Sequence, residues 1–251
     1  MAEGTGPERQ PAFYALRPGG WRDLVTILHP PYTAWHLSYV VFGAVAAPSL
    51  YADRLWAALG AFLLAVGVAA HALDELNGRP LGTELSDRTL IVLALIGLSG
   101  AVAIGVAGVF TVSASLAPFV VVGAFLVIAY NMELGGGRFH TDVWFALAWG
   151  AFPALTSWWA NTLRLDDPAE VAAGLAVAAA CLALSGAQRR LSTPVRELRR
   201  RTAAISGRQE LDDGTAYELT LERLAAPLDG ALRALSYGLP LLAAGLVAIR
   251  L

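Results

Sequence analysis

The chain has 251 residues, 56% of them hydrophobic and 15% charged, with a formal net charge of -2 at neutral pH and a mean hydropathy of +0.55. That balance excludes an ordinary soluble domain and reads as a polytopic membrane protein. All 18 strong cations are arginine and none is lysine; nucleic acid is not an expected partner. The single Cys181 lies in an apolar segment, has no cysteine to pair with, and reads as a small buried hydrophobe.

Residues 1–28 lack the short cationic region followed by an apolar core that marks a signal peptide, and read as a cytoplasmic arm with an interfacial segment anchored by Trp21. From 29 to 251 a single transmembrane domain is expected. Apolar runs long enough to cross a hydrocarbon core of about 30 Å fall near 33–51, 55–76, 89–107, 110–131, 142–162, 169–187 and 231–250. These seven must be helices, since unpaired backbone in lipid is too costly. Small residues, as in "GLSGAVAIGVAG", suit close helix approach. The expected fold is thus an all-α bundle of about seven spans.

Arginine placement predicts the orientation. Arg9, Arg17 and Arg22 precede the first run, Arg79 and Arg88 follow the second, and Arg138 follows the fourth. Eight arginines from Arg189 to Arg223 follow the sixth, whereas the opposite loops hold Arg54 and Arg164. By the positive-inside rule the N-terminus and the arginine-rich loops are cytoplasmic, in a multi-pass protein of the cell membrane. The long charged connection 188–229 reads as a cytoplasmic amphipathic segment drawn to anionic membrane lipid, or as a docking surface.

The second run ends in "HALDELNGRPLGTELSDR". Continued as a helix, it sets His71, Asp74 and Glu75 at i, i+3 and i+4 on one face. Acids at membrane depth are costly unless they meet a cavity, a cation or a partner. The plain alternative is an interfacial acidic pair bridged to Arg79. The fourth run ends in "IAYNMELGGGRFHTDVW", placing Tyr130, Asn131 and Glu133 before a glycine turn and Arg138, His140 and Asp142 after it. Three glycines allow the backbone to approach a ligand closely, and no P-loop is present.

Several stretches together resemble the UbiA superfamily of intramembrane prenyltransferases over residues 24 to 200. "LHPPYTAWHLSYVVFGA" resembles its first helix, "GRPLGTELSDRTLIVLALIGL" the segment after its first aspartate motif, and "AYNMELGGGRFHTDVWFALAWGAFPALTSWWANT" its fourth and fifth helices. The resemblance implies a cytoplasm-facing pocket where Mg²⁺ and basic residues hold an isoprenyl diphosphate whose prenyl group passes to an acceptor. Carried over, Asp74 and Glu75 become catalytic metal carboxylates and Arg79 the basic residue. The carry-over ends there; Tyr130, Asn131 and Arg138, beside the glycine turn, are expected substrate contacts by their position. The chain departs from the pattern after the sixth run, where "SGAQRRLSTPVRELRRR" has no aspartate; there Arg189 and Arg190 are expected to bind diphosphate directly.

A second expectation keeps the bundle and changes the chemistry. His29, His71 and His140 fall near one mouth, and His71 and His140 with Asp74, Glu75, Glu133 and Asp142 would form a mixed site suited to Zn, Fe or Mn. A third is non-catalytic binding of an isoprenoid or quinone.

Overall fold

The computed structural model describes residues 11–251; the first ten residues of the expected arm lie outside them. A short helix α1 (Trp21–Ile27) leads into α2 (Pro30–Ala46), followed by α3 (Ala52–Leu76) and α4 (Asp87–Thr111). A single 3-10 turn (Ala114–Leu116) runs into α5 (Ala117–Asn131). Helix α6 spans 142–162, α7 is Pro168–Arg200, and α8 is Leu221–Arg250. Between the last two lies a small antiparallel hairpin, β1 (Arg208–Glu210) with β2 (Ala216–Glu218), in which Gln209 pairs with Tyr217.

The helices begin where side chains can serve the free N-H groups of a first turn. Ser86, Thr141, Asp167 and Thr220 each accept from an amide two or three residues on, the ordinary N-cap chemistry. Pro30 and Pro168 occupy first helical positions, where no N-H is needed.

Among the described residues five helices are long and apolar enough to cross a membrane: α3, α4, the 3-10 turn with α5, α7 and α8. Each of the seven expected runs overlaps a helix, but the first runs on past Ala46 into non-helical residues 47–51 and the fourth crosses a break at 112–113; α2, of 17 residues, and α6 lie outside that set. The connection 188–229 also differs from expectation. Helix α7 continues through its charged half to Arg200, and α8 already starts at Leu221, so the connecting chain is the hairpin and its flanks. The polar half of α7 stays helical because one of its faces turns inward, as described below.

Helix α2 is the axis of the bundle, packed against α6, α8, α7 and α3. Trp35, Tyr39, Val40 and Ala44 on it are fully buried, and the Trp35 indole donates to the Tyr39 hydroxyl. The approach of α2 to α6 is too close for any side chain: a Cβ on Gly43 would lie 2.0 Å from the Ala154 carbonyl oxygen. Glycine at 97 serves the same end between α4 and α3, where a Cβ would meet the Leu64 carbonyl oxygen at 2.7 Å. Helix interiors lose stability with glycine, which the close backbone packing here offsets.

Two stretches depart from α geometry, Leu63–Ala70 in α3 and Leu147–Ala151 in α6, both π-helical. Such widened turns loosen the i to i-4 ladder and are frequent at functional sites.

Gly43→Ala is expected to destabilise the bundle by about 3 kcal/mol, the upper range for overpacking. Gly245→Ala, inside α8 with nothing within 4 Å of the new Cβ, is expected to raise stability by about 0.5–1 kcal/mol. Thermal unfolding of the two variants in detergent checks the contrast.

Candidate functional site

The two adjacent acids at the end of α3 have separate fates. Glu75 is 1% exposed. Its carboxylate accepts from the Leu81 amide at 2.9 Å, the Thr83 amide at 2.8 Å and the Thr83 hydroxyl at 2.9 Å. It therefore folds the turn 77–86 back over the helix end. Asp23 of α1 works in parallel, accepting from the Gly19 and Glu84 amides. Arg79 closes the same turn from outside, donating to the Thr83 and Leu85 carbonyls and pairing with Asp87 at the start of α4. Expected as a catalytic metal carboxylate and a substrate arginine, Glu75 and Arg79 are instead committed to this turn.

Asp74 faces the other way, into a chamber of about 990 Å³ counting its open mouth. All four histidines of the chain line it: His29, His36, His71 and His140. So do Tyr130 and Asn131 of α5 and three arginines of α7, Arg189, Arg196 and Arg200. The N-terminal segment roofs part of it through Phe13 and Tyr14, held by the Tyr14 hydroxyl on His29 Nδ1 at 3.0 Å and by Arg200 on the Pro11 carbonyl at 3.3 Å.

The histidines are oriented by backbone. Nδ1 of His36 lies 2.8 Å from the Trp149 carbonyl, that of His71 3.3 Å from the Gly67 carbonyl, and that of His140 3.0 Å from the Tyr130 carbonyl. A carbonyl only accepts, so each of these Nδ1 atoms carries a proton. Trp149 and Gly67 both belong to the π-helical stretches, whose loosened ladder leaves carbonyls for such use. His29 and His71 stack at 4.0 Å between centroids, and His140 stacks on Tyr130 at 4.4 Å. Burial first, then the neighbouring His71 and Arg200, hold the His29 imidazole well below its usual range, so it is neutral.

The remaining expected residues sit at the rim. Arg189 pairs with Asp142 at 2.8 Å while lining the chamber. Glu133 is exposed, in a left-handed conformation (φ 49), 3.9 Å from His140. Arg138 and Arg190 are exposed and do not line the chamber. Among the described residues no three His, Cys, Asp or Glu side chains gather on one metal position. With Glu75 and Asp142 engaged, Asp74 is the one expected carboxylate left facing the chamber, which does not fit the paired carboxylate motifs that hold Mg²⁺ in the UbiA superfamily. Nor does it fit the His and carboxylate set expected for Zn, Fe or Mn.

Arg196 and Arg200 were absent from the expected site, although the signal was available. Gln188, Ser192, Arg196 and Arg200 recur every four residues, a polar stripe on one helix face. Tyr14 had no such signal.

Beyond the chamber lies a second cavity of about 970 Å³, enclosed by α3, α4, α5 and α6 and lined almost wholly by apolar side chains such as Ala61, Leu98, Val120 and Phe152. Val66 and Trp149 line both cavities, and each belongs to one of the π-helical stretches. Compared with protein-family models, with curated proteins and with solved structures, the chain finds no match.

Glu75→Ala is expected to cost about 3 kcal/mol, since two amides and a hydroxyl lose a buried acceptor. Limited proteolysis should then cut within 77–86, where the native turn resists. The His29 environment gives a pH dependence. The folded state holds this imidazole neutral, so its contribution is complete above the ordinary histidine value of about 6.5 and declines as pH falls below it, because the unfolded chain gains the proton first. The thermal midpoint should drop between pH 7.5 and pH 5.5 by a margin that His29→Asn, compatible with the left-handed backbone there (φ 46), reduces.

Proposed function

We propose that the protein is an integral membrane prenyltransferase that takes an isoprenyl diphosphate, with the diphosphate in the arginine chamber and the prenyl tail in the apolar cavity beyond Val66 and Trp149. The observation that carries this reading is the junction itself. A cationic chamber and an apolar cavity share two wall residues, which suits a molecule with an anionic head and a long apolar tail. The arginine excess of the loops gives the expected orientation, with the chamber open to the cytoplasm.

The chemistry follows from what surrounds the junction. Heterolysis of the bond between the first prenyl carbon and oxygen sends the bonding pair out with the diphosphate. Guanidinium groups of Arg189, Arg196 and Arg200 stabilise that charge where it develops. The allylic cation left behind lies beside Tyr130, Phe145 and Trp149, whose ring faces favour positive charge. A nucleophilic carbon or oxygen of the acceptor forms the new bond and releases a proton. Asp74 and the Nε2 of His140 are groups within the chamber able to receive it.

Val66→Trp narrows the junction and is expected to lower turnover of farnesyl diphosphate about tenfold or more, equivalent to roughly 1.4 kcal/mol, while sparing five-carbon dimethylallyl diphosphate. Diphosphate release measured with both substrates and a panel of phenolic acceptors tests this. Equal loss for both would remove the tail from the apolar cavity. No release from the wild-type chain with any acceptor would leave a binding protein for the same lipid instead of an enzyme.

A further inference from the structure

Resting on that reading, we infer that the chamber captures the phosphorylated head as a free anion, on Arg196, Arg200 and the Tyr130 hydroxyl, without a divalent cation. Glu75 is used by the turn, Asp142 by Arg189, and Asp229 by Arg199. Among the described residues Asp74 and Asp229 are the carboxylates that line the space, and Asp229 is paired with Arg199; the one carboxylate without an ion pair leaves most of the oxygen shell of a Mg²⁺ ion to be found elsewhere. On the cationic side, Arg196 and Arg200 form no ion pair among the described residues. Arg196 donates to the Thr193 hydroxyl at 3.2 Å and Arg200 to the Pro11 carbonyl at 3.3 Å, neutral partners that an anionic oxygen outcompetes.

Among the groups that line the chamber without an ion pair, two guanidinium groups against one carboxylate give a positive excess. A diphosphate reverses that sign at once; a Mg²⁺ ion added first would raise it further. The chamber also holds a donor awaiting a ligand. The Tyr130 hydroxyl is buried without a hydrogen-bond partner among the described residues, on a side chain 5% exposed that lines this space. A hydroxyl donates to a phosphate oxygen, and planar guanidinium forks match such oxygens in pairs.

The test is equilibrium binding of farnesyl diphosphate to the purified full chain in lipid nanodiscs, once with EDTA and once with Mg²⁺. The inference expects the two dissociation constants to agree within about threefold. Arg196→Gln and Arg200→Gln should each weaken binding in EDTA about tenfold or more. Tyr130→Phe, which removes one hydroxyl and keeps the ring, should weaken it by a smaller factor and guards against misfolding of the arginine variants. Binding seen only with Mg²⁺, and lost in Asp74→Asn, overturns the inference while sparing the prenyl diphosphate reading. Absence of binding in both buffers overturns both. Inorganic pyrophosphate, titrated in EDTA, separates head from tail: weaker binding than farnesyl diphosphate supports a lipid anion, and equal binding supports capture of a free anion while removing the lipid.

Discussion

Charge inside a medium of low dielectric has to be answered by opposite charge or by hydrogen bonds, and this requirement organises the polar end of the bundle. Each answered pair does a structural task. Glu75 gathers the turn 77–86, Asp23 ties α1 to that turn, Arg79 fastens it to α4, and Arg199 with Asp229 links α7 to α8. What these pairs leave over, Asp74 against Arg196 and Arg200, is what the chamber offers a ligand. The site is the remainder after the scaffold has taken its share of charge.

The second organising feature is the pair of widened helical turns. In a regular helix the carbonyls of Gly67 and Trp149 would serve the ladder of their own helices. Here they orient His71 and His36, two histidines on different helices. The same widening sets Val66 and Trp149 where chamber and apolar cavity meet. Gly97 lets α4 pack directly against the widened turn of α3 at Leu64 and Ala69, and Gly43 draws α6 to α2 at Ala154, just past the widened turn of α6.

Hydropathy placed one apolar run on each of α2 to α8, because length and apolarity are properties of a run read by itself. The end of α7 was missed for the converse reason. Its polar half looks like surface in isolation, yet the face carrying Gln188, Arg196 and Arg200 is turned toward the chamber, a tertiary fact. Arg189, Arg196 and Arg200 meet all four histidines at the chamber. Which carboxylate would be free was beyond reach of the sequence, since the amides that claim Glu75 lie six and eight residues away in a turn with no regular period.

The stretch His71 to Glu75 shows where helical-face reasoning stops. Spacings of three and four residues both return to one side of a helix, so His71, Asp74 and Glu75 were grouped together. Successive residues are nevertheless about 100° apart, and a wall between a chamber and a folded-back turn divides them. His71 and Asp74 fall on the chamber side, and Glu75 falls on the turn side, where it is fully buried. An acid pair that would have shared a metal becomes one ligand-facing carboxylate and one structural one. With one carboxylate removed from the chamber, the weight of recognising an anionic head passes to α7, whose arginines reach the same space from the opposite wall.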